Sequence, residues 1–134
     1  MNSEKVGEEL KIAKSLLPVG FMLLEKGFPF DAAKKIWDAV RLATRALTLT
    51  YLGRNEPAKG RTWRDFVKTA LLEAGLNEAE ASSWADYFIT ARASLLGECF
   101  LAHIYEEEEH KSIMQKAKEY VVLIEKLVSN SRTS

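Results

Sequence analysis

The residues best equipped for chemistry are two histidines beside an acidic run. His103, Glu106 or Glu107, and His110 stand at i, i+3 or i+4, and i+7. On a helix that continues through Glu109, that spacing sets two imidazoles and a carboxylate on one face, a donor set suited to a divalent transition metal. Di-metal carboxylate bundles draw ligands from four helices with a Glu-x-x-His pair on two of them; this chain has one such run, Glu107 to His110, and not the second. The expectation is therefore no cofactor, no catalytic residue and solvent-facing histidines, with His103, Glu107 and His110 as weak metal candidates. Cys99 is the only cysteine and follows Leu95 by four residues on an apolar face, so it reads as a buried structural thiol and not a nucleophile. No serine sits in a nucleophile elbow and no glycine-rich loop follows a strand, which removes those enzyme classes.

A second chemistry is anion binding. Residues 54–68 hold Arg54, Lys59, Arg61, Arg64 and Lys68 against Glu56 and Asp65, with Trp63 among them. Lys34, Arg41 and Arg45 extend the basic set into the preceding helix. Guanidinium and ammonium groups hold phosphates while an aromatic ring stacks on a base. The plainer expectation is that Trp63 closes the core and the cations are hydrated. Arg92 stands alone among acids. An ion pair with Glu98 or Asp86 is expected for it, with phosphate binding as the alternative.

These residues need a scaffold, and composition indicates one. The 134 residues are 47% apolar and 28% charged, the size and balance of one domain with its own core. A single cysteine excludes an intrachain disulfide and a cysteine-built zinc site. No apolar stretch reaches the roughly 18 residues a membrane span needs, and no signal peptide is read, so the expectation is a cytoplasmic protein with no membrane partner. The formal net charge is zero but unevenly laid out. Residues 28–68 carry nine Lys/Arg against four acids, and residues 69–109 carry Arg92 against nine acids. Oppositely charged helices packed side by side account for this layout most simply.

Caps and apolar period predict an all-α fold of about five helices. The first runs from about Ser3, as N-cap, to Lys26, with a kink or split at Pro18. The second starts at Pro29, carries the stripe Phe30, Ala33, Trp37, Val40, Ala43 or Thr44, Leu47 and Tyr51, and stops at Gly53. A third follows a Thr62–Asp65 capping box and ends at Gly75. Asn77 with Glu80 opens a long fourth helix, predicted to reach Glu106. Its stripe is Ala81, Trp84, Ala85, Phe88, Ala91, Leu95, Cys99 and Ala102. Four acids at its end, Glu106–Glu109, oppose the helix dipole and predict fraying or a break. A fifth helix is expected from Ser112 to about residue 128, within a domain of residues 1–128, followed by a disordered tail, 129–134.

Residues 25–47 resemble the signature region of the archaeal PaREP family, small helical paralogues with a glycine turn and then a helix carrying Ala-x-x-Lys-x-Trp-x-Ala and a later Ala-Leu. The matching residues are Gly27, Ala32, Lys35, Trp37, Ala39, Ala46 and Leu47. That family is similar in turn to the HEPN helical bundles. The resemblance implies an antiparallel HEPN-like bundle, often dimeric and often nucleotide- or RNA-associated. Active HEPN ribonucleases carry Arg and His four to six residues apart; here ten residues separate Arg92 from His103, so ribonuclease activity is not expected. The first reading is a non-catalytic interaction module, homodimeric through the small-residue face of helix four or through helix five, with a protein partner possible. The alternative is an RNA- or nucleotide-associated protein, conceivably a toxin–antitoxin-type component, binding through the basic face.

Overall fold

The structure is a computed structural model. It describes residues 2–131, with side chains from Glu4 to Ser131. All of its regular elements there are helices: α1 (Asn2–Glu25), α2 (Pro29–Leu52), α3 (Trp63–Glu73), α4 (Glu78–Ala91), a π-helical segment (Arg92–Leu101) and α5 (Glu107–Ser131). Among the described residues no helix is long and apolar enough to cross a membrane.

α1 and α2 form a hairpin around Gly27. Val6, Leu10, Ala13 and Leu17 are buried on α1, as their spacing predicts. Pro18 does not split the helix. It lies on the exposed side, so the Lys14 carbonyl that loses its N–H partner turns to water. The Ser3 side chain lies outside the described residues. On α2, Pro29 occupies the first turn, where its missing N–H costs nothing. Gly53 closes the helix at φ 69°, donating to the Leu49 carbonyl, a left-handed cap that favours glycine.

The seam between α1 and α2 is built from small groups. Ala32, Ala39, Ala43 and Ala46 are fully buried on α2. Gly20 of α1 lies so close that a Cβ added there would stand 2.5 Å from Ile36 Cγ1 and 3.3 Å from the Ala32 carbonyl oxygen. The other side of α2 packs against α5, the π-helical segment and α3. Thr44 Oγ1 spends its one proton on the Val40 carbonyl at 2.7 Å, so the Tyr120 hydroxyl of α5, 2.5 Å away, donates to it. Tyr51 donates to the Leu127 carbonyl, and Tyr87 of α4 donates to Ile113 at 2.7 Å. The central core thus carries polar locks on three of its four tyrosines' hydroxyls, each satisfied as burial demands.

Surface charge follows the neighbouring-helix expectation. Arg64 pairs with Asp86 and Lys68 with Glu78, joining the two cations of α3 to acidic α4, while Lys14 pairs with Glu125 between α1 and α5. Thr62 caps α3 by accepting from the Asp65 N–H at 3.0 Å. Only that half of the predicted capping box forms, because the Asp65 carboxylate turns to Arg61. The Asn77–Glu80 box opening α4 is complete.

The chain departs from expectation after Ala91. In place of one helix to Glu106, the backbone widens into π winding at Arg92 and leaves helical geometry after Leu101, with His103 at φ 56°. Ala102 is consequently exposed and not part of the stripe. The acids Glu107, Glu108 and Glu109 form the first turn of α5, where the dipole favours them; helix five therefore starts well before Ser112. Its other end also extends further than expected, through Ser131 into the segment read as a tail; residues 132–134 lie outside the described residues.

The seam yields a direct test. Gly20→Ala gains up to about 1 kcal/mol of helix propensity but overpacks a site with no slack, a cost of about 1–3 kcal/mol. The expected net loss is about 1–2 kcal/mol in urea unfolding; an unchanged or raised midpoint would show that the two helices are not in contact there.

Candidate functional site

A concave feature lined by aromatic rings and arginines lies where α2 meets the 53–62 loop, α3 and the α4–π junction. Its volume is about 380 Å³, and its lining includes Trp37, Arg41, Thr44, Arg45, Thr48, Asn55, Glu56, Trp63, Phe88, Arg92 and Leu96. The floor is aromatic: Trp37 and Phe88 stand 5.5 Å apart between ring centroids, and Trp63 lies 6.0 Å from Phe88. Three arginines surround that floor. Each has a different hold. Arg41 lies 3.7 Å from Asp38, an exposed and weak pairing. Arg45 reaches Glu9 of α1 at 3.2 Å. The guanidinium of Arg92 lies 5.9 Å from the centre of the Trp63 ring, close enough for cation–π attraction.

The Arg45–Glu9 contact is mainly Coulombic. Glu9 is 8% exposed, yet its Oε2 and the Arg45 Nε lack an aligned hydrogen bond. A buried carboxylate holding one arginine leaves the rest of that guanidinium as unspent donors at the cavity.

Of the residues predicted for the basic face, only Arg41, Arg45 and the aromatic Trp63 line this cavity. Arg54, Lys59 and Arg61 line a shallower hollow on the far side of the loop, with Asp65 and Phe66. Arg54 donates to the Glu56 carbonyl at 3.2 Å, and Arg61 is held by Asp65. Lys34 is 2.8 Å from Asp38, and Arg64 and Lys68 are committed to α4. The Arg64–Asp86 hydrogen bond raises the arginine's pKa and holds the Asp86 carboxyl below its usual range. The basic face is thus divided by internal pairing.

Arg92 corrects its expectation. Asp86 is taken by Arg64 and Glu98 by His110, so Arg92 turns to Trp63 and the cavity and remains exposed. Sequence reasoning missed Thr44, Thr48 and Asn55 as lining. The α2 members Trp37, Arg41, Thr44, Arg45 and Thr48 share one helix edge at spacings of three, four and seven, and that edge was the available signal.

The histidine cluster is also rearranged. The break at Ala102–Glu106 removes the shared helical face, so the i, i+7 arithmetic does not apply. His103 stacks on Phe30 with ring centroids 4.8 Å apart. Glu107 lines a separate hollow with Phe21, Tyr105 and Lys111. His110 is 1% exposed and lies 2.9 Å from Glu98 Oε1. Of the small residues predicted for that face, Ala81, Ala85 and Ala91 of α4 are fully buried within the chain, whereas Gly97 is half-buried and Ala102 exposed.

Comparison with family models, with curated proteins and with solved structures gives no match.

Cys99 tests the assignment of the thiol. It is fully buried, and burial, with Glu98 and Glu109 nearby, pushes its pKa up to about 11. At pH 8 about one thiol in a thousand is then ionised. Iodoacetamide should leave the folded chain unlabelled over a time that fully labels it in urea. Fast labelling of the folded chain would place Cys99 at the surface.

Proposed function

We propose that this chain is a non-catalytic binding module for a phosphate-bearing ligand with an aromatic ring, the nucleotide class, seated in the α2–α3–α4 cavity. One observation carries the reading: Arg41, Arg45 and Arg92 line the same cavity as Trp37, Trp63 and Phe88. Arginine presents a planar fork matched to phosphate oxygens. A base stacked on an aromatic ring contributes about 1–3 kcal/mol without regard to sequence. The Trp63 face now covered by Arg92 is where such a ring would lie, with Arg92 moving onto the phosphate. The volume suits a single nucleotide unit.

The composition of the lining suits binding by charge and stacking. It holds no histidine, cysteine or lysine, and Glu56 is its only carboxylate, so a nucleophile paired with a general base is lacking. Thr44 is already committed to Val40 and Tyr120. The resemblance to nucleotide- and RNA-associated helical families points the same way.

Adenosine 5′-monophosphate is the probe. Its binding, followed by tryptophan fluorescence at low salt, should exceed that of adenosine and weaken as salt rises. Arg41→Ala and Arg92→Ala, both at exposed positions, should each weaken it by about tenfold, the scale of one charged hydrogen bond. Equal binding of adenosine and its monophosphate, or unaltered binding by both variants, would sink the proposal.

A further inference from the structure

We infer that Glu98, Glu109 and His110 form a binding site for a divalent transition-metal ion of the Zn2+ class, separate from the arginine-lined cavity. Each of the three side chains offers one ligand atom, and all three atoms lie within 4.8 Å of one another. His110 Nε2 lies 2.9 Å from Glu98 Oε1 and 3.7 Å from Glu109 Oε2. The imidazole is 1% exposed, whereas the two carboxylate side chains are 46% and 60% exposed. The nitrogen is therefore fixed by packing, including Tyr105 at 5.9 Å between ring centroids, and the open side faces solvent through the oxygens. One imidazole and two carboxylates with a free position are a recognised donor set for such an ion.

The surroundings of His110 Nδ1 provide for either tautomer. The Glu106 N–H donates to Nδ1 at 2.8 Å, which leaves the ring proton on Nε2, donated to Glu98. Nδ1 also lies 3.1 Å from the Glu106 carbonyl oxygen. A metal on Nε2 requires the proton at Nδ1; the Glu106 carbonyl is in reach to accept it, the usual outer partner of a ligating histidine, and the Glu106 N–H must then turn from the ring to solvent. The ring loses a proton at Nε2 and gains one at Nδ1, so its net protonation is unchanged.

Placement supports the same assignment. Glu98 comes from the π-helical segment and Glu109 and His110 from the first turn of α5, so an ion would bridge the irregular stretch between them. The positive end of α5 opposes a cation, but the ligand Glu109 stands in that first turn and offsets it. His103 is not a ligand, since its ring is stacked on Phe30. π-helical turns occur often at functional sites, and this one sets Glu98 toward His110.

The test uses the whole chain stripped with a chelator. One equivalent of Zn2+ should raise the thermal midpoint, and Co2+ should produce visible absorption bands from the bound ion. Glu98→Gln and Glu109→Gln keep the packed imidazole and should each weaken Zn2+ binding, measured calorimetrically, by about tenfold or more. Glu108→Gln, in the same acidic run but outside the three ligands, should keep nearly full affinity. The inference is overturned if Zn2+ leaves the midpoint unmoved, if both ligand variants bind as tightly as the parent, or if Glu108→Gln loses as much as they do.

Discussion

The close approach of α1 to α2 sets the terms for everything else. Because Gly20 and the alanines at 32, 39, 43 and 46 let the two backbones nearly touch, α2 has one face fully occupied by a partner of minimal bulk. Ile36 stays at that seam against Gly20, and the adjoining face carries Val40 and Leu47 into the main core. Beyond that face runs the edge with Trp37, Arg41, Thr44, Arg45 and Thr48. Moving α1 outward would carry Glu9 away from Arg45 and leave one buried carboxylate without its cation, which typically costs several kcal/mol.

That dependence links stability to the proposed binding. Arg45 and Glu9 form a pair that a purely apolar seam would not need, and replacing such pairs with apolar groups is often neutral or stabilising. Its retention makes sense if the arginine is wanted at the cavity and the carboxylate exists to hold it there. Thr44 and Tyr120 act in parallel. Their hydrogen bond ties the cavity edge of α2 to α5, and burial raises the Tyr120 phenol's pKa, so the link stays protonated in any ordinary buffer. The cavity is thus supported by two neighbours that do not line it.

Much of this was legible in the residue order, and the failures share a cause. The N-terminal signals at Pro29, Thr62 and Asn77 and the stop at Gly53 are local, and each marks a helix end in the structure. Glu106–Glu109 were read as belonging to the wrong helix. The dipole argument foresaw a break, but the apolar period from Ala81 to Ala102 concealed that it falls before the acids. Period alone cannot register a change to π winding. Arg92 was singled out by its isolation in an acidic stretch, yet its place beside Trp63 depends on how α3 packs on α4. The division of the basic face into a cavity, a hollow and paired residues likewise rests on contacts between distant positions, such as Arg64 with Asp86.

The protein carries its own control for the central claim. Trp37 and Trp63 line the cavity, whereas Trp84 packs against Tyr87 and Tyr120 with Lys116 above it. Titrating adenosine 5′-monophosphate into 15N-labelled protein and following the three indole N–H resonances tests the site directly. A ligand in the arginine-lined cavity shifts Trp63, and Trp37 beneath it, while Trp84 stays in place. Equal movement of all three, or movement of Trp84 alone, would contradict a nucleotide site at this cavity.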